Sequence, residues 1–168
     1  MAKQKKTRTG AGTPGLTRLA EAGVPHTVRA YEHDENASRD VGYGLEAAQA
    51  LGVTPERVFK TLMVTAGGRQ VLGVVPVTGQ LDLKAMAKAV GEKQVTMAPV
   101  DVAERVSGSV VGGISPLGGR TPLEVVLDES ATAYGTILVS AGVSSTSVPR
   151  LPADLLAVTG GMTAPIAR

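Results

Sequence analysis

Two apolar runs meet at a pair of glycines near the middle of this chain, and no other feature constrains the fold as tightly. Phe59–Thr65 and Gln70–Val77 are rich in Val, Leu and Thr, and Ala66-Gly67-Gly68-Arg69 stands between them. Runs of this kind bounded by glycine read as strands, and the short Gly-containing connection reads as a hairpin. The other elements fall around it. Thr13-Pro14 opens a helix that Gly23 stops, because Thr caps well and Pro suits the first helical position. His26–His33 alternates like a strand and Asp34–Gly42 is a polar loop. Leu45–Leu51 is a short helix ended by Gly52, and Thr54-Pro55 caps a further turn.

Beyond the hairpin, Leu81–Val90 has helical spacing, with Leu83, Met86, Ala87 and Val90 inward and Gly91 as its stop. Pro76–Asp82 leads into it as strand end, turn and N-cap. Lys93–Met97 reads as a strand, Val100–Val106 as a helix and Ser109–Val111 as the start of another strand. Leu123–Leu127 and Thr136–Ser140 are β-rich, with a helical turn over Asp128–Tyr134. A last helix opens at Leu151-Pro152, turns Leu155 and Leu156 inward and ends at Gly160-Gly161. There is no internal repeat and no linker. Strands and helices interleave irregularly with short connections, which predicts an α+β fold built on a mixed sheet rather than a regular doubly wound one.

The size of 168 residues suits one domain, assigned to 13–168, after a tail at 1–12 expected to be disordered. Three Tyr and one Phe are the only aromatics, so an RNA-binding sheet that stacks bases on aromatic platforms is not expected. There is no Cys, which removes disulfides, thiolate nucleophiles and Cys-ligated metals, and the two His are too few for a His-rich metal centre. The net charge of +2 hides an asymmetry. Four of the 17 basic residues, Lys3, Lys5, Lys6 and Arg8, lie in the first eight positions, leaving 13 against 15 acidic side chains. A polyanion must therefore be met by a local basic face or by the tail. No apolar stretch is long enough to span a bilayer or to serve as a secretion signal, so a soluble cytoplasmic protein is expected.

Without Cys and with few His, chemistry falls to Lys, Ser, Thr, Tyr and backbone amides. Lys60 sits inside the apolar run Val58–Val64, where it must face solvent, pair with an acid or line a pocket; an edge lysine that discourages strand pairing is the plain alternative. In Gly112-Gly113-Ile114-Ser115-Pro116-Leu117-Gly118, two glycines before a rigid Pro can present backbone N–H groups to a carbonyl or oxyanion. An ordinary tight turn explains the same residues. Ser140 ends a strand, where a satisfied hydroxyl is the default. His33 and Asp34 could form an acid–base pair or a loop hydrogen bond.

Taken together, six segments resemble the YbaK/EbsC family, relatives of the editing domain found in some prolyl-tRNA synthetases. They are Tyr31–Asp34, Tyr43–Ala48, Val58–Leu62, Val75–Lys84, Val111–Gly118 and Leu127–Ser130, in the family's order. The resemblance implies a curved, barrel-like mixed sheet surrounded by helices. It implies trans-editing, the deacylation of mischarged Cys-tRNA(Pro), with the substrate's own thiol attacking its ester. Lys60 is then the catalytic lysine at the pocket, and Gly112 offers its backbone to the aminoacyl group. Tyr31, Tyr43, Thr61, Gly113, Ser115, Pro116 and Ser140 would shape the substrate pocket. The implied partners are tRNA(Pro) and prolyl-tRNA synthetase, with no cofactor, metal or membrane. Two departures stand out. The loop between Asp34 and Tyr43 is longer than expected, and Val143–Ser147 lacks the basic residues and the acid expected after Ser140. Editing of Ala-tRNA(Pro), or a non-catalytic module that binds tRNA or the synthetase, are the alternative readings.

Overall fold

The computed structural model describes residues 21, 29–30, 48–49, 51–109, 114–117, 123–140, 146–150 and 152–168. The hairpin is its centre. Strands β2 (Phe59–Ala66) and β3 (Arg69–Pro76) pair antiparallel over their whole length, from Phe59 opposite Pro76 to Ala66 opposite Arg69. Gly67 and Gly68 have φ of 56° and 82°. Two consecutive positive φ values define the two-residue turn whose twist matches that of the flanking strands. A methyl group at Gly67 would also run into the Glu92 carboxylate.

Outward from the hairpin, β4 (Val95–Met97) pairs antiparallel with β2, and β5 (Glu124–Asp128) lies parallel to β3. β8 (Met162–Ala164) lies parallel to β5, giving a mixed sheet of order β4-β2-β3-β5-β8. A second group, β1 (Arg29–Ala30), β7 (Thr146–Arg150) and β6 (Ile137–Ser140), is antiparallel in the order β1-β7-β6. One parallel bridge, Val58 to Leu138, joins the two groups. The sheet thus curves without closing into a barrel among the described residues.

Side-chain alternation sorts the core onto two faces. Phe59, Met63, Leu72, Val74, Val125 and Leu127 point one way, toward α2 (Val100–Ser107) and α3 (Pro152–Thr159). Val64, Ala66, Val71, Val75 and Val126 point the other way, toward α1 (Leu83–Val90) and Ile166. Because both faces are covered, β3 reads as an unbroken apolar run, with every residue from Val71 to Pro76 buried. α1 starts at Leu83, two residues after the expected Leu81, which instead bridges to Ala167. The Asp82 carboxylate accepts from the Lys84 and Ala85 amides at 3.0 and 3.1 Å, and Gly91 closes the helix with φ 75°.

Two strands are absent from the sequence expectation. Thr146 and Ser147, read as part of a divergent loop, begin β7. Pro149 sits within that strand opposite Leu138, and an internal Pro argues against a strand in sequence. β8 is three residues held between Gly161 and Pro165, too short to show a period. The expected strand over Ser109–Val111 is not seen at Ser109, and Val110 and Val111 lie outside the described residues. So does the tail, and of the first helix only Glu21 is described, as helical.

Candidate functional site

β2 has β3 along one edge, but its other edge is shared. β4 takes Val64–Ala66, and the Ala98 amide donates to the Met63 carbonyl at 3.0 Å just before it. β6 meets the same edge at Val58. Among the described residues no strand pairs with that edge between these points, so Phe59–Leu62 borders a split between β4 and β6. The Val58 carbonyl accepts from Val77 on the β3 side, whereas the Met63 carbonyl accepts from the β4 side. Backbone polar groups alternate along a strand, which turns the Thr61 amide and carbonyl toward the split. An unpaired edge of this kind offers hydrogen bonds to a ligand backbone or carbonyl.

Lys60 and Thr61 both lie at the split but their side chains leave β2 on opposite faces. Lys60 shares a face with Val58, Leu62 and Val64. It is half-buried, and no carboxylate or carbonyl partners its ammonium among the described residues. Burial holds its pKa below lysine's ordinary 10.5, because its apolar surroundings disfavour the charged form. Across the split, Val58 and Leu138 bridge in parallel, so two residues on Lys60 and Ser140 stand level. Leu138 packs with Val58, and period-2 alternation gives Ser140 the same face as Leu138. Lys60 and half-buried Ser140 therefore look into one side of the split.

Thr61 faces the other way, between Phe59 and Met63. It is 7% exposed, and its Oγ1 has no hydrogen-bond partner among the described residues. The same cluster receives the turn Ile114–Leu117, with Ile114 and Leu117 buried in it. Ser115 and Pro116 are buried too, and Ser115 Oγ accepts from the Leu117 amide at 3.2 Å, which closes the turn. Thr61, Ser115 and Pro116 thus belong to the back of β2, and Lys60 and Ser140 to its front. Gly112, Gly113, Tyr31 and Tyr43 lie outside the described residues.

Two further residues hold this geometry, and neither was singled out in the sequence. Arg57, in the 3-10 turn Pro55–Arg57 just before β2, donates from Nε to the Thr136 carbonyl at 3.1 Å and from its terminal nitrogen to Thr136 Oγ1. It ties the start of β2 to the start of β6. Asp128, at the end of β5, is 4% exposed; its Oδ1 accepts from the Ile166 and Ala167 amides, both at 2.9 Å, and its Oδ2 from the Ser130 amide and hydroxyl. Burial alone would raise its pKa, but the bonds from Ser130, Ala167 and Ile166 outweigh it and hold the carboxyl below its ordinary value. In the sequence Asp128 stands only within the family segment Leu127–Ser130 and at the start of the expected helical turn Asp128–Tyr134. No group of three or more His, Cys, Asp or Glu side chains converges to hold a metal among the described residues.

The aminoacyl-tRNA editing domain family matches residues 43–158, which span most of the chain and include the split, Lys60 and Ser140. The chain belongs to this family. Editing removes a wrong amino acid from its tRNA, so the editing domain places the protein among aminoacyl-tRNA deacylases. It is 36% identical over 163 residues, 96% of each chain, to EbsC of Enterococcus faecalis, whose name proposes a Cys-tRNA(Pro)/Cys-tRNA(Cys) deacylase. It is 29% identical over 111 residues to YwhH of Bacillus subtilis, covering 66% of this chain and 70% of that one. A solved protein proposed as a trans-editing enzyme for prolyl-tRNA synthetase superposes with a TM-score of 0.80 at 27% identity, covering 93% of this chain and 98% of that chain. The curved mixed sheet with packed helices expected from sequence is the fold of this editing domain.

Proposed function

We propose that this editing domain acts in trans on mischarged cysteinyl-tRNA, with Cys-tRNA(Pro) as its substrate and Lys60 at the centre of its pocket. The observation that carries this reading is the position of Lys60: half-buried, without an acidic partner among the described residues, and level with Ser140 at an unpaired strand edge. A partly desolvated cation of this kind suits an anionic or strongly polar group delivered from outside, here the terminal adenosine or its phosphate.

The chain has no Cys to act as nucleophile, and the cysteinyl group carries its own thiol. In the proposed reaction that sulfur attacks the carbonyl carbon of its ester. The ester C–O bond then breaks, and the thiol proton ends on the departing ribose oxygen. The products are free tRNA and a cyclic thiolactone that water opens to cysteine. The enzyme need only fold the substrate into the attack geometry and stabilise the oxyanion. Well-oriented intramolecular attack can lower a barrier by roughly 7–11 kcal/mol. Gly112, with Gly113, would present backbone N–H groups to that oxyanion. Ser140 would line the pocket beside Lys60, Tyr31 and Tyr43 would close it, and Thr61, Ser115 and Pro116 would support it from behind the strand. A thiol-dependent mechanism reads the amino acid and not the tRNA, so prolyl-tRNA synthetase is the proposed source of selectivity for tRNA(Pro). Acting on charged tRNA, the protein would work in the cytoplasm. No helix among the described residues is long and apolar enough to cross a membrane.

The test compares cysteinyl-, alanyl- and seryl-tRNA(Pro) with purified protein. Loss of cysteine alone is expected. Equal loss of alanine, which has no thiol, contradicts substrate-assisted cleavage and moves the domain to Ala-tRNA(Pro) editing. No loss from any of the three leaves the family fold without this activity.

A further inference from the structure

We infer that the groove between α1 and β4 is a phosphate-binding surface for the tRNA backbone, separate from the Lys60 pocket and on the same side of the sheet. The groove measures about 360 Å³ and is lined by Leu83, Lys84, Ala87, Lys93, Gln94 and Val95. Lys84, Lys93 and Gln94 are exposed, as is Lys88, one helical turn beyond Lys84 on the same face of α1. None of the three lysines has an ion pair among the described residues. The acids nearest along the chain are already engaged: Asp82 Oδ1 accepts from the Lys84 and Ala85 amides as the cap of α1, and Glu92 is taken by Arg69 at 2.7 Å, with Arg69 further held by Glu124 at 3.4 Å. Outside the first eight residues the chain has more acidic than basic side chains, so three unpaired lysines beside one groove form a local basic face. Unpaired ammonium groups around an exposed amide match phosphates and a 2′-hydroxyl, the sequence-independent features of an RNA strand.

Position favours tRNA over an acidic protein. α1 covers the face of β2 from which Lys60 projects: Leu62, two residues from Lys60, and Leu83 of α1 both pack against the cluster on that face, and Leu83 itself lines the groove. β4, the other wall, pairs with β2 on the same edge as the split. An acceptor arm with its 3′ end at Lys60 would lead past Leu62 into the groove. The inference rests on the deacylase reading only in taking tRNA as the polyanion.

The experiment measures binding of uncharged tRNA(Pro) against salt concentration, and so does not depend on turnover. Lys84→Gln, Lys88→Gln and Lys93→Gln are tested singly and combined, with Arg105→Gln on the exposed side of α2 as a control for net charge. Each lysine contact should contribute about 0.7–0.9 to the slope of log K against log salt. The triple variant's slope should be about 2–3 lower, so that wild type loses roughly 20–40-fold more affinity than the variant between 50 and 200 mM salt. Arg105→Gln should keep the wild-type slope. An unchanged slope in the triple variant, an equal effect of Arg105→Gln, or no tRNA binding by wild type would overturn the inference. Loss of association with prolyl-tRNA synthetase at an unchanged tRNA slope would overturn it in favour of a protein partner. Failure of the deacylation assay alone would remove the reaction and leave the groove to be decided by these slopes.

Discussion

Lys60 is a lysine that the fold tolerates at a cost. Its ammonium is partly desolvated and unpaired among the described residues, and the lowered pKa states that the folded protein disfavours its charge. The sign follows directly. With the folded pKa below 10.5, the unfolded chain holds the proton more tightly, so stability rises with pH between the two values. Lys60→Met should abolish deacylation, raise the melting temperature at neutral pH, and flatten the alkaline rise in stability. Each kcal/mol gained is worth roughly 2–4 °C at this chain length. A lower melting temperature in that variant contradicts the environment assigned to Lys60. Thr61 makes a parallel case. A buried hydroxyl without a partner costs about 1–3 kcal/mol on mutational scales. Thr61→Val should therefore raise the unfolding free energy measured in urea by an amount in that range and leave kcat/KM close to wild type, because Thr61 faces the back of β2. Lys60 was legible in sequence because a charge inside an apolar run needs a reason. That Thr61 faces the back of β2 was not stated there, although period-2 alternation implies it.

At the scale of elements, the hairpin, α1 and its two caps, α2 and β5 could be placed from glycines, capping residues and periodicity, because each carries its own local signal. β7 and β8 could not, because they are made by their neighbours. β7 tolerates Pro149 only as a partner of β6, and β8 exists because β5 and the Asp128 carboxylate hold the C-terminal segment beside it. Asp128→Ala removes the acceptor of three amides; those of Ile166 and Ala167 alone, at about 1–3 kcal/mol each, give an expected loss of roughly 2–6 kcal/mol, with faster hydrogen exchange at both. Because the Asp128 pKa is depressed, its contribution is complete above the ordinary value of 3.8 and is lost as pH falls through the lower folded value. Asp128→Asn should remove that acid dependence while keeping one acceptor, and an unaltered acid limb would refute the role of the charge. Arg57 joins elements too, through two bonds to Thr136. Arg57→Ala should lower kcat more than it raises KM, and Arg57→Lys should not restore it, because a point charge cannot reach both acceptors as the guanidinium fork does. Restoration by lysine would show that charge alone mattered.

For the molecule as a whole, the proposed functional site lies at a fault in the sheet. Among the described residues, two strand groups meet at one bridge, Val58 to Leu138, and beyond it β2 borders a split before β4 begins. No local pattern in the sequence encodes that split. It follows from the parallel approach of β6 to the start of β2, a contact between residues 80 positions apart. The resemblance implied pocket roles for Lys60 and, outside its six segments, for Ser140 without saying why they belong together; the Val58–Leu138 bridge sets them level across the split. The basic groove was equally hidden, since Lys84, Lys88 and Lys93 are spread over a helix and a loop and are offset by acids elsewhere in the chain. The central claim, that this split houses a deacylase centred on Lys60, is tested most directly by single-turnover deacylation of Cys-tRNA(Pro) with wild type and Lys60→Ala at matched protein concentrations, each checked for thermal unfolding. Rapid cysteine release by wild type and none by a Lys60→Ala variant of equal or greater stability is the predicted result. Release by that variant at the wild-type rate would contradict it.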